Sequence, residues 1–303
     1  MKYGNDYVDE KYSSILEPNL FADTVIIPGV TYNDEHEGDG KAGAVEIYKE
    51  TATSIADPGT PAGDFVDAGT ANTLIPLLLN NAYRKSKKIY RVTANSVSYD
   101  KAEANLALAV DENKRDRQAS VLACLINEGT TVQNTATTAT GTAITLRKAL
   151  RKNHAKPDVV FASVDAFAKM LEEAGGKYTP TTNDRIITTG QVGNYLGMTW
   201  FEVDALEGSA KYYDNTGTKR TVSLESADLI VYDHRTLHVV DNLEMMRIID
   251  SENFTGVKAQ NEINTGMTVS NAYRVALGTI ASGDTPTPSS APSSEPSVEP
   301  SQG

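Results

Sequence analysis

The chain has 303 residues, more than one compact domain usually holds, so two packed lobes or one domain with long arms are expected. It carries 28 basic and 40 acidic residues, a formal net charge of −12, which excludes a globally basic nucleic-acid binder and leaves room only for a local basic face. One cysteine excludes an internal disulfide, and four histidines argue against a zinc cluster or a Cys/His enzyme.

Residues 1–40 read as an extended arm. Pro18, Pro28, Gly29, Gly38 and Gly40 leave no space for a long helix. The opening MKYGNDYVDEKYSS has no apolar signal region. No stretch approaches the ~20 apolar residues of a membrane-spanning helix; the longest apolar run, Leu74 to Leu79, is interrupted by Pro76. We therefore expect a soluble protein that stays in the cytoplasm of its producing cell until something assembles or releases it. The arm still carries Ile15, Leu16, Leu20, Phe21, Val25, Ile26 and Ile27. An arm cannot form a core alone, so these side chains need a neighbouring surface, in the same subunit or another.

Residues 41–97 suggest a long β-hairpin excursion. GAVEIYKE (43–50) alternates as a strand, and DPGTPAGD (57–64) is a turn-rich tip with Pro58, Gly59, Pro61 and Gly63. Pro76 fits an edge strand; a short helix over 72–90 is the alternative. Residues 100–128 are the best helix in the chain, rich in Ala, Leu, Glu, Lys and Arg and stopped by Gly129. Its ends are apolar, but its middle, DENKRDRQ (111–118), is polar all round. Such a helix reads as a spine, exposed in its middle or paired to charges of another subunit.

After a Thr-rich linker, residues 142–153 read as a helix, 158–162 as a buried strand and 163–176 as a helix capped by Ser163. MTWFEV (198–203) is a strand, and residues 211–222 form a hairpin around Asn215–Gly217. ADLIVYD, TLHVVD and LEMMRIID read as three strands in succession, and residues 265–280 as a strand or strand pair. From Ala281 the chain is Pro- and Ser-rich, with five of its twelve prolines, and reads as a disordered tail. The class is α+β with an antiparallel-rich sheet.

No phosphate loop, dinucleotide-binding fingerprint or GxSxG is present. His234 and His238 form an HxxxH, but their β-branched surroundings read as strand–turn–strand, which separates the rings by roughly 13 Å. Cys124, between Leu122 and Leu125, reads as a core thiol. Hence no catalytic, cofactor-binding or metal residue is assigned. Arg84, Lys85, Lys87, Lys88 and Arg91 form one basic run. It is either a solvated face or a contact to an acidic neighbour such as NDEHEGD at 33–39.

In the order of these elements the chain resembles the major capsid proteins of tailed bacteriophages, with the Hong Kong phage-type shell fold. The likeness is carried by four features: the arm and hairpin ahead of the spine helix; that helix's VLACLINEGT end; ITLRKALRKNHAKPDVVFASVDAFAKMLEE; and GQVGNYLGMTWFEVDAL followed by ADLIVYDHRTLHVV. The resemblance implies an N-arm (1–40), a hairpin extension loop (41–97), spine helix and peripheral domain (98–150), axial domain (151–226), closing sheet (227–280) and a tail (281–303). It also implies a structural subunit, not an enzyme, that assembles through pentamers and hexamers into an icosahedral shell around double-stranded DNA without sequence-specific binding. Such a subunit takes no cofactor and no membrane, is assembled in the host cytoplasm and ends in the virion capsid. A separate scaffold protein, a portal and decoration proteins are its expected partners. Candidate subunit-interface residues are Leu16, Leu20 and Phe21 in the arm, Pro58, Gly59 and Pro61 at the hairpin tip, and Arg84, Lys87 and Lys88 in the basic run. The alternatives are an encapsulin-type nanocompartment shell and a surface adhesion module.

Overall fold

A computed structural model describes residues 25–35, 44–51, 71–91, 101–174, 191–204, 206 and 208–281. Among them three helices, α1 (Lys101–Glu128), α2 (Ala139–Lys152) and α3 (Val164–Ala174), pack on four sheets.

The largest sheet has six strands in the order β4 (Thr130–Thr131), β13 (Val275–Gly278), β10 (Leu229–Tyr232), β5 (Val159–Ser163), β7 (Met198–Val203) and β6 (Gln191–Tyr195). Its central strands are almost continuously apolar because both faces are covered. Val159, Phe161, Ile230 and Tyr232 point to the C-terminal half of α1, against Val121, Leu122 and Leu125. The alternate residues Val160, Ala162, Leu229 and Val231 point to α2 and α3, against Leu146, Leu150 and Met170. One period-2 alternation thus fills two cores. The β6–β7 turn consists of Leu196 and Gly197 at φ 56° and 72°. Two successive left-handed residues match the right-handed twist of a tight hairpin.

The second sheet has the order β11 (Leu237–Asp250), β12 (Gly256–Val269), β3 (Asn81–Tyr90) and lies across the middle of α1. β1 (Ala44–Thr51) and β2 (Ala71–Leu78) form an antiparallel pair, as do β8 (Ser209–Tyr213) and β9 (Lys219–Ser223).

Several expectations need correction. Residues 72–90 are strands, not a helix, and the hairpin strands end at Leu78, because β3 leaves them to pair with β12. TLHVVD and LEMMRIID are one strand, β11, whose register shifts between Asn242 and Met245; an inserted residue bends a strand without ending it. β12 begins at Gly256, well before residue 265. Its inward residues include Asn261 and Thr265, so hydrophobic alternation did not mark it. α2 starts at Ala139, inside the Thr-rich segment. The Thr138 hydroxyl accepts from Gly141 N, and the Glu173 carboxylate of α3 accepts from Ala139 N and Thr140 N at 2.8 Å each. Two of these three N–H groups are capped from another helix. Position 150 lies inside α2, and residues 227–280, expected as the closing sheet of the axial and peripheral domains, contribute β10 and β13 to one sheet and β11 and β12 to another.

Candidate assembly surfaces

The basic run lies on β3. Its alternation sends Lys85 and Lys87 towards α1 and Arg84 and Lys88 to the opposite face. Lys85 meets Asp116 at 2.5 Å, and Lys87 pairs with Glu112. Arg84 meets Glu262 of β12 at 2.8 Å with its own side chain 69% exposed. Lys88 stands opposite Lys258 in the register, and like charges directly opposed repel. Three of the run's cations are thus neutralised within the subunit.

The spine's polar middle, expected to be exposed or paired to another subunit's charges, is divided: Asp111, Lys114, Arg115 and Asp116 stay exposed, whereas Glu112, Asn113, Arg117 and Gln118 meet the subunit's own strands and arm. Fully buried Asn113 donates to the Tyr83 carbonyl at 3.3 Å and to the side chain of Asn261. Arg117 meets Asp241 at 2.7 Å, and the Gln118 side-chain oxygen accepts from Val25 N at 2.9 Å. The satisfaction is incomplete, since Asn113 Oδ1 and Asn261 Nδ2 are buried without a hydrogen-bond partner, so this polar face is buried at a cost that its directed contacts only partly offset.

Val25 is where the described part of the arm begins. Val25, Ile26 and Tyr32 enter the core between α1 and the six-stranded sheet. The Thr31 carbonyl accepts from the buried Tyr232 hydroxyl at 2.7 Å, and Asn33 N donates to Leu237 O at 2.8 Å. Gly29, at φ 67°, supplies the left-handed turn between them. The end of the arm is therefore a core element of its own subunit. Leu16, Leu20, Phe21, Pro58, Gly59 and Pro61 lie outside the described residues.

The hairpin is seated by Ile47 and fully buried Leu77, which pack on Val240 of β11. Lys49 Nζ donates to Ser270 O at 3.0 Å. Gly266 is the close approach: a Cβ there would lie 2.9 Å from Leu78 O and 3.2 Å from Leu77 Cγ. Any larger residue would push the hairpin off β12. Nothing in the sequence pattern distinguishes Gly266; the need arises only where β2 crosses the sheet.

At the end of α1, burial pushes the Glu128 carboxyl above the usual glutamate range. Its oxygens accept from Val269 N at 3.0 Å and from Tyr212 Oη at 3.4 Å. Cys124, one turn earlier, is fully buried, and burial pushes its thiol up. Its place in the core matches the expectation.

The HxxxH residues part company. His238 is buried in β11, whereas the His234 ring meets Asp158 at 2.5 Å beside Asp233. Asp158, Asp233 and His234 place one ligand atom each within 4.8 Å of the others. They fit a metal poorly, because Asp233, fully buried, already accepts from Arg235 at 2.8 and 2.9 Å and from Lys156 N, with Arg274 at 3.9 Å. Its carboxyl is held below the usual aspartate range; burial opposes this, and the Arg235 contact prevails. The cluster is a polar knot that ties β5 to β10.

Neither a family model nor a curated protein matches the chain. Solved structures do. A structure from Mycobacterium phage Che8 superposes with a TM-score of 0.66 at 17% identity, covering 91% of this chain and 98% of the other. The capsid of Ralstonia phage GP4 gives 0.62 at 10% identity, with 94% and 99% covered. The capsid of an empty GTA particle gives 0.61 at 13% identity, with 92% and 97% covered. At such identities the likeness speaks for the fold, and it runs nearly end to end in both partners. The chain has the α+β fold of these phage capsid structures.

Proposed function

We propose that the protein is the major capsid subunit of a tailed bacteriophage, a structural and non-enzymatic protein that assembles into an icosahedral shell around double-stranded DNA. The observation that carries this is the near-complete two-way coverage: 94% of this chain matches 99% of the Ralstonia phage GP4 capsid chain. A shared module inside a larger enzyme would leave much of one partner unmatched. Pentamers and hexamers are the expected building units, since a head-to-tail interface that closes makes rings. A scaffold protein, a portal and decoration proteins are the expected partners, and assembly takes place in the host cytoplasm. Net acidity suits a wall that encloses DNA without gripping it.

Within this proposal the arm residues Leu16, Leu20 and Phe21 and the tip residues Pro58, Gly59 and Pro61 reach neighbouring subunits. Lys88, facing away from α1 opposite Lys258, is the member of the basic run best placed to meet a neighbour's carboxylates.

Electron microscopy of the purified full chain, expressed alone and with its scaffold, tests the proposal. Closed shells or rings of five and six are expected; a dispersed monomer in both conditions overturns it. The arm is tested by two truncations. Removing residues 1–24 leaves Val25, Ile26 and Tyr32 in the core, so a folded, assembly-defective subunit is expected. Removing residues 1–33 also strips those three side chains, each worth roughly 1.5–3 kcal/mol of burial, so a sharply lower melting temperature is expected. Normal shells from the shorter truncation would exclude the arm from assembly.

A further inference from the structure

The two ends of the six-stranded sheet carry opposite charge. β5 runs antiparallel to β10 and parallel to β7. One end therefore gathers the residues before β5 and after β10, and the other end the reverse. At the first end Arg151, Lys152 and Lys156 are exposed, and the Arg235 and Arg274 side chains are 53% and 38% exposed. Buried Asp233 meets Arg235 and Arg274, Asp158 meets His234, and exposed Tyr273 stands beside them. At the second end a cleft of about 290 Å³ opens where β5 and β7 finish and β10 begins. Leu206 and Ala227 form its buried apolar part. Asp165, Asp204, Glu225 and Asp228 line it, and among the described residues no lysine or arginine does. Five strand residues, roughly 16 Å, separate the ends, so they cannot meet within one chain.

We propose that the cleft of one copy receives the basic end of the next copy's six-stranded sheet. This rests on the shell assembly proposed above and deepens it by naming a contact between copies. The two surfaces are different and complementary, so the contact is heterologous and repeats head to tail, the geometry that closes into rings. Copies of a chain with net charge −12 repel one another overall. A cationic end facing a carboxylate-lined cleft reverses that repulsion at one orientation and so selects it. Charge complementarity of this kind sets register and partner choice more than raw affinity.

Charge reversal in the full-length chain tests the contact. The pairs are Arg151→Glu with Lys152→Glu, Asp165→Lys with Asp204→Lys, and all four together. Particle yield is read by sedimentation and electron microscopy, with thermal melting as the folding control. Each pair alone should lower the yield on the order of tenfold, and the four together should restore most of it. A pair that assembles like the wild type, or four changes that do no better than two, overturns the contact. A Lys152→Cys, Asp204→Cys variant provides a second measurement, since the native Cys124 is buried. Oxidised particles should give a ladder of cross-linked chains beyond the dimer; particles without a ladder overturn the contact. A wild-type chain that never assembles brings down the shell proposal and this contact together. Wild-type shells with indifferent variants bring down the contact alone.

Discussion

Helix α1 is buried twice, by opposite means. Its C-terminal half presses Val121, Leu122 and Leu125 into an apolar core shared with Phe161, Phe201 and Tyr232 of the six-stranded sheet. Its middle lies on the three-stranded sheet through Glu112, Asn113, Asp116 and Arg117, each matched to a polar partner. Apolar contact is strong and undirected; it secures the helix without defining its rotation. Hydrogen bonds and ion pairs contribute little net energy but accept few geometries. The difference teaches that one helix draws stability from one end and register from its middle.

The contrast is broken most forcefully on the apolar side. Phe161→Ala, between Phe201 and Tyr232 at ring separations of 5.8 and 5.5 Å, should cost about 3–5 kcal/mol, read from denaturant unfolding. A smaller loss means that the core collapses around the gap. In the polar seam, Asn113→Ala leaves the buried Asn261 amide without its partner, and a loss of about 1–3 kcal/mol is expected. Asn113→Leu combined with Asn261→Val should recover stability. A double-mutant cycle with no coupling would show that the pair does not act as a unit.

Glu128 sharpens the comparison because it is a half-buried carboxyl at the apolar end. Burial raises its folded-state pKa above the unfolded value. Its favourable contribution is then fully present below the unfolded value and is lost as pH rises through the folded one. Glu128→Gln should therefore stabilise the protein near neutral pH, and the gain should vanish below about pH 4, where the carboxyl is protonated in both states. Unfolding midpoints across that range decide the matter; a gain that persists in acid assigns the effect to packing. The smallest effect is expected at Arg84, whose pair with Glu262 is solvated. Arg84→Ala should leave the melting temperature unchanged, as solvated ion pairs usually do. A clear drop would extend the polar seam to the outer face.

Much of the fold was legible in the sequence where period and punctuation coincide. Gly129 ends α1 as expected, and its N–H bonds to Leu125 O at 2.9 Å. Ser163 caps α3 through Ala166 N, and MTWFEV is β7 residue for residue. The misses share one cause: the partner lies far away in the chain. Asn113 and Asn261 are 148 residues apart, so the polar middle of the spine looked solvated. Glu173 caps a helix 34 residues earlier, so the start of α2 looked like linker. The ion-pair partners of Arg84 and Lys87 within the subunit, Glu262 and Glu112, could likewise not be placed beside them from local pattern.

By itself, then, the sequence determined the local elements, the apolar strands and the absence of any recognisable enzyme motif, because periodicity, caps and turn residues act within a few positions. Tertiary structure alone decided that β3 leaves the hairpin for β12, that the arm from Val25 is core, that Gly266 must have no side chain, and that opposite charges gather at opposite ends of one sheet. Those outcomes depend on which distant segments meet, and burial and charge select that only once the chain has closed on itself.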